Sequence, residues 1–114
     1  MSHKYRAQPT CVDGYRFDSK AEAHRHRELR LLEKSGLISD IKVHPVFVLQ
    51  KPFVDFSGKK RLAIKYEADF SYTETGNPLP VIEDVKGVET EAFKIKAKMF
   101  MFHYPQYELR IVKV

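Results

Sequence analysis

Two carboxylates and one ammonium are the first groups in this sequence that could do chemistry together. Asp69 lies in the alternating run Leu62 to Tyr72, and Asp84 and Lys86 lie in the run Val81 to Lys86. Side chains two apart on a strand share a face, so Asp84 and Lys86 point one way and Glu83 the other. Fifteen residues separate Asp69 from Asp84, and the turn signal Thr75-Gly76-Asn77-Pro78 falls between them. A hairpin there sets the two strands side by side and gathers both acids and the lysine. Carboxylates held that close repel unless a cation neutralises them, and hard oxygen donors suit Mg²⁺ or Mn²⁺. Such an ion polarises a phosphate oxygen and lowers the pKa of a water, while a lysine orients that water or offsets phosphoryl charge. A merely solvated strand face is the plainer alternative. Against it, Val81-Ile82-Glu83-Asp84-Val85-Lys86 otherwise reads as an apolar central strand, where charge is costly without a purpose.

The elements that must hold these groups follow from patterning. Ser19-Lys20-Ala21-Glu22 is a capping-box pattern that opens a helix over about Ser19 to Ser35, with Gly36 as its terminating glycine. Glu22 therefore has a ready structural role as the cap's partner, and a helix start can also pack over strand ends. Strands are expected over Ile41 to Gln50, over Phe53 to Phe56, and over Leu62 to Tyr72 after a turn at Ser57-Gly58-Lys59-Lys60. In the last of these, Ile64, Tyr66, Ala68, Phe70 and Tyr72 form one face, and Lys65, Glu67, Asp69 and Ser71 the other. A second helix spans about Glu89 to Tyr104, with a stripe of Phe93, Ala97, Phe100, Met101 and Tyr104, and Pro105 stops it. Tyr107 to Val114 closes the chain as a strand. Short turns favour antiparallel pairing and the long helical crossover favours a parallel final pair. The expected fold is α/β, a mixed β-sheet flanked by helices.

At 114 residues the chain suits a single domain, with residues 1–15 a polar arm turning at Asp13-Gly14. Its net charge of +5 favours a polyanionic partner. One cysteine, Cys11, excludes an internal disulfide and any zinc site built of cysteine pairs. No run reaches the roughly 18 apolar residues of a membrane span, and the N-terminus carries no secretory pattern, so a soluble cytoplasmic protein is expected. Arg25, Arg27 and Arg30 on the first helix and Lys94, Lys96 and Lys98 on the second are candidate phosphate contacts, set against simple solvation. Lys4, Tyr5 and Arg6 in the arm are further candidates. His24 and His26, at i and i+2, do not share a helix face and make no metal pair. Thr90 is a plain N-cap, and neither His44 nor His103 shows an arrangement pointing to catalysis.

Phe17-Asp18-Ser19-Lys20-Ala21-Glu22, Tyr66-Glu67-Ala68-Asp69-Phe70 and Val81-Ile82-Glu83-Asp84-Val85-Lys86-Gly87, in that order, resemble the motifs of the PD-(D/E)XK nuclease superfamily. Within it the chain is most similar to short phage-encoded proteins, over about Lys4 to Val114. The resemblance implies a restriction-endonuclease-like αβββαβ core. It implies that Glu22, Asp69 and Asp84 hold Mg²⁺ or Mn²⁺, and that Lys86 positions the attacking water. Ala68 stands where the motif has proline, a position often altered in the superfamily. Relatives of this size include Holliday-junction resolvases, homodimers acting on branched DNA. The resemblance therefore implies an endodeoxyribonuclease cutting four-way junctions, in a bacterial cytosol or a phage-infected host cell. Its alternatives are a nuclease of linear duplex and a non-catalytic nucleic-acid-binding module on the same fold.

Overall fold

The computed structural model describes residues 10–12 and 14–114; Lys4, Tyr5, Arg6 and Asp13 lie outside them. The first elements are a small hairpin, β1 (Thr10–Val12) with β2 (Tyr15–Phe17), which turns at Gly14 in the left-handed region (φ 81°). Helix α1 (Lys20–Lys34) follows. Ser19 caps it by accepting from the Glu22 N–H at 3.2 Å. At its other end Gly36 (φ 84°) closes the turn, with Gly36 N–H donating to the Glu33 carbonyl and Leu37 N–H to that of Leu32.

Three strands, a helix and a strand then complete the core. β3 (Ile38–Val43), β8 (Phe70–Glu74), β9 (Val81–Lys86) and β10 (Glu108–Lys113) form one mixed sheet in the order β10-β9-β8-β3. β8 pairs antiparallel with β3 and β9, and β10 runs parallel to β9 after the crossover through α2 (Glu91–His103). The core thus has the expected αβββαβ order, in a mixed sheet flanked by two helices. Inserted between β3 and β8 is a two-stranded ribbon in two parts. β4 (Val46–Gln50) pairs with β7 (Ile64–Glu67), and beyond them β5 (Phe53–Val54) pairs with β6 (Lys60–Arg61).

The sheet has apolar residues on both faces. Phe17, Ala23, Leu29, Ile38, Phe70, Tyr72 and Val81 pack on the α1 side. Leu49, Tyr66, Ala68, Ile82, Phe93, Ala97 and Phe100 pack on the α2 side. Alternation along β9 follows from this: Val81 and Glu83 face α1, while Ile82 and Asp84 face α2. Met101, expected in the α2 stripe, is exposed, and Met99 packs inward instead.

The expected continuous strand from Leu62 to Tyr72 is not continuous. Tyr66 and Ala68 pack on the α2 side but Phe70 and Tyr72 pack on the α1 side, so the chain switches faces at Asp69, which lies between β7 and β8. Asp69 is therefore not part of a regular polar face. Its backbone is tied to both flanks, with Asp69 N–H donating to the Glu83 carbonyl and His44 N–H donating to the Asp69 carbonyl. The run Ile41 to Gln50 breaks opposite it, at His44-Pro45, where His44 takes φ 56°. Two breaks facing one another let the ribbon leave the sheet.

On the α1 face, Glu83 is fully buried. The guanidinium of Arg25 grips it in a forked contact, Nε to Oε2 at 2.8 Å and Nη2 to Oε1 at 2.9 Å, and the Tyr72 hydroxyl donates at 2.7 Å. Arg25, a candidate phosphate contact from the sequence, is thus committed to the interior. Removing one partner of a buried pair strands the other charge, which costs several kcal/mol. Arg25→Ala is expected to lower the unfolding free energy by about 3 kcal/mol in a urea titration; a loss under about 0.5 kcal/mol, the range of neutral surface changes, contradicts this assignment.

Candidate active site

The breaks at His44 and Asp69 lie at the end of β9 that carries Asp84 and Lys86, beside the start of α1. Glu22, in the first turn of α1, is buried, and its carboxylate is not turned back to complete the capping box; Oε1 lies 3.1 Å from His44 Nε2. The cap and the site role coexist: Ser19 uses the Glu22 backbone and the site uses its side chain. Asp69 Oδ2 accepts the Val85 N–H at 2.6 Å. Asp84, buried on the α2 side, accepts from the Tyr66 hydroxyl at 2.5 Å and pairs with Lys86 Nζ at 3.0 Å. Lys86 Nζ lies 4.4 Å from the centre of the Phe93 ring, which fixes the ammonium from a second side.

Glu22 and Asp84 both act electrostatically on Asp69, which links the three acids chosen from sequence. Burial, then the charges of Asp84 and Glu22, push the Asp69 carboxyl up to about 9, against a lowering by the Val85 N–H. Burial also raises Glu22, partly offset by its bond to His44. Burial, then the Asp84 charge, raise the Tyr66 phenol, which stays a hydrogen-bond donor. These acids have one nearby ammonium, whereas the neighbouring Glu83 takes a forked guanidinium contact from Arg25.

Among the described residues, no three His, Cys, Asp or Glu side chains form a preset metal-ligand group. The oxygens are engaged within the protein, with Tyr66, Lys86, His44 and the Val85 N–H. The donor chemistry nonetheless suits a hard divalent cation: the three acids offer carboxylate oxygens, and the charges of Asp84 and Glu22 both bear on Asp69.

Lys86 opens onto a cleft of about 600 Å³, bounded by β7 and the first turns of α2. Lys65 and Lys96 line it with Lys86, and Tyr66, Phe93 and Val46 form its apolar part. Three ammonium groups and the Glu67 carboxylate thus line a cleft next to the acid cluster. Of the other basic candidates, Arg27, Lys94 and Lys98 are exposed, and Lys94 pairs with Glu91. Arg30 is bound to Glu33 and His26. His26 is buried against Phe70 and Phe17. His44 and Tyr66 are the site residues that sequence reading missed. The signal for His44 was the proline after it; Tyr66 gave none, since its apolar ring satisfied the strand pattern.

A carboxyl whose folded-state pKa lies above its unfolded value binds more protons folded than unfolded between the two. Stability therefore falls as pH rises through that window, here from about 4 to about 9 for Asp69. In EDTA, Asp69→Asn is expected to be more stable than wild type at neutral pH, with the gap widening towards pH 8.5 in thermal unfolding. Parallel pH profiles for the two proteins would show that Asp69 is not under this strain.

No curated protein matches the chain, and no solved structure matches it. A family model described as "Protein of unknown function (DUF1064)" matches residues 2–114, and the chain belongs to that family.

Proposed function

We propose that this protein is a Mg²⁺- or Mn²⁺-dependent endodeoxyribonuclease acting on branched DNA such as a four-way junction. The observation that carries the proposal is that Glu22 and Asp84 both bear on Asp69, with Asp84 paired to Lys86, which lines a cleft together with Lys65, Glu67 and Lys96. The motif resemblance to PD-(D/E)XK nucleases supports it through the same four residues. A branched substrate and a homodimer rest on that resemblance, since two symmetric nicks need two sites. The substrate places the protein with DNA in a cytosol.

In this proposal Glu22, Asp69 and Asp84 hold the divalent ion. When bound, the ion supplies charge to a phosphoryl oxygen and acidifies a water. The protein's own contributions follow from the contacts. Tyr66 fixes the rotation of the Asp84 carboxylate, and Lys86, pinned between Asp84 and Phe93, is held where it can orient the water or meet charge developing on the phosphate. His44 steadies Glu22, and its left-handed backbone is the kind of strain that packing sustains at functional sites. Lys65 and Lys96 flank the cleft and draw in the phosphates on either side of the bond to be cut.

Labelled four-way junction, linear duplex and single strand, each with Mg²⁺, Mn²⁺ or EDTA, test this. Junction cleavage that requires metal is expected. Asp84→Asn should abolish it while sparing DNA binding, and Lys86→Ala should slow it about 10²–10³-fold. Equal cutting of duplex and junction would make this a linear-duplex nuclease. Binding without cutting in either metal would make it a non-catalytic DNA-binding module, and cutting by Asp84→Asn at the normal rate would refute the site.

A further inference from the structure

Beyond its base, where Tyr66 bonds Asp84 and Lys65 lines the cleft, the ribbon from Val46 to Glu67 takes no part in the acid cluster. It carries Lys51, Lys59, Lys60, Arg61 and Lys65 against Asp55 and Glu67, which is +3 of the chain's +5 in 22 residues. Among the described residues Lys51, Lys59, Lys60 and Lys65 make no ion pair, and Arg61 is the one ribbon cation that does, with Asp55. Its base packs on α2, but β5 and β6 pack chiefly on one another.

The tip is apolar as well as basic. Phe53, Val54 and Leu62 are exposed, and Phe56 is fully so, in the turn that closes the ribbon. That turn is rigid. Asp55 Oδ1 accepts from Ser57 N–H at 2.8 Å, Ser57 Oγ at 2.6 Å and Lys59 N–H at 3.1 Å, and Oδ2 accepts from Arg61 Nε at 2.8 Å. Gly58 N–H donates to the Asp55 carbonyl at 3.0 Å, with Gly58 at φ 86°. A phenyl ring is thus held out in water by a fixed loop with Lys59, Lys60 and Arg61 beside it, and nothing in the fold uses it.

Rings between cations suit a nucleic acid, which offers phosphates and stackable bases together. A second copy of the chain suits the tip poorly, because a two-fold contact of ribbon on ribbon would oppose +3 to +3. At strand rise β4, Lys51-Pro52 and β5 together reach at most roughly 30 Å from Val46 to Asp55, or about nine phosphates at 3.4 Å each. We propose that this ribbon is a DNA-engaging finger: its lysines track the backbone away from the cleft, and Phe56 stacks on, or wedges between, bases at a distorted step. The inference rests on the proposal that the protein works on DNA, and extends it to a second point of contact.

The chain has no tryptophan, so Phe56→Trp introduces a single indole at the tip. In EDTA, its emission is expected to be quenched as four-way junction DNA is added, in step with the anisotropy of the labelled DNA. Phe56→Ala should bind about tenfold more weakly. Lys59→Ala/Lys60→Ala should flatten the dependence of log K on log salt by about 2. Unchanged indole emission at saturating DNA, or ribbon variants that bind as wild type does, would overturn the finger and leave the nuclease proposal standing. Emission that shifts with protein concentration alone would make the tip a self-contact and overturn it too. Ribbon-dependent binding with no cleavage in Mg²⁺ or Mn²⁺ would instead sink the nuclease and keep the finger; a wild type that binds no DNA would sink both.

Discussion

Negative charge crowded into a half-dry corner is what the rest of this structure has to accommodate. Glu22, Asp69 and Asp84 come from a helix start, a strand break and a central strand, and each is withdrawn from water to a different degree. One residue away, Glu83 shows how the same chain treats an acid it only has to bury: a forked guanidinium and a phenol satisfy it. The cluster at the end of β9 gets one ammonium, one phenol, one imidazole and one backbone N–H. The difference between these surroundings separates a structural acid from one, Asp69, under electrostatic stress, and such stress is concentrated at functional sites.

That stress is sustained by architecture. The backbone bonds of Asp69 to β9 and to His44 fix the break from both sides. Phe17, Phe70 and His26 pack beneath α1 and hold the helix start that delivers Glu22. Phe100, Phe93 and Tyr66 do the same on the α2 side for the phenol over Asp84. A helix cap, a strand break and two aromatic clusters thus converge on one small volume. The same pair of breaks releases the ribbon, so the site and the projecting arm share one structural cause.

Much of this was legible in the sequence. The Ser19 and Gly36 signals bounded α1 because caps are local chemistry. Val81 to Lys86 was readable to the residue, since a buried strand flanked by turn residues has sharp ends, and the alternation there already separated Glu83 from Asp84. The break at Asp69 was invisible for a physical reason. The sheet is apolar on both faces, so Ala68 and Phe70 are buried whichever face each takes, and period-two alternation survives the switch. The link between Tyr66 and Asp84 joins residues 18 apart across the sheet, and nothing local encodes it. His44 gave a partial sign in the proline that follows, but its contact with Glu22 depends on where α1 lands.

Glu22, Asp69 and Asp84 are proposed to bind a divalent cation. A calorimetric titration with Mn²⁺ at neutral pH, in two buffers of different ionisation enthalpy, tests it most directly. A carboxyl at position 69 that holds a proton at that pH must give it up when a cation arrives. Saturable binding with proton release to the buffer is therefore expected, both lost in Asp69→Asn. No saturable binding, or binding indifferent to position 69, would contradict it.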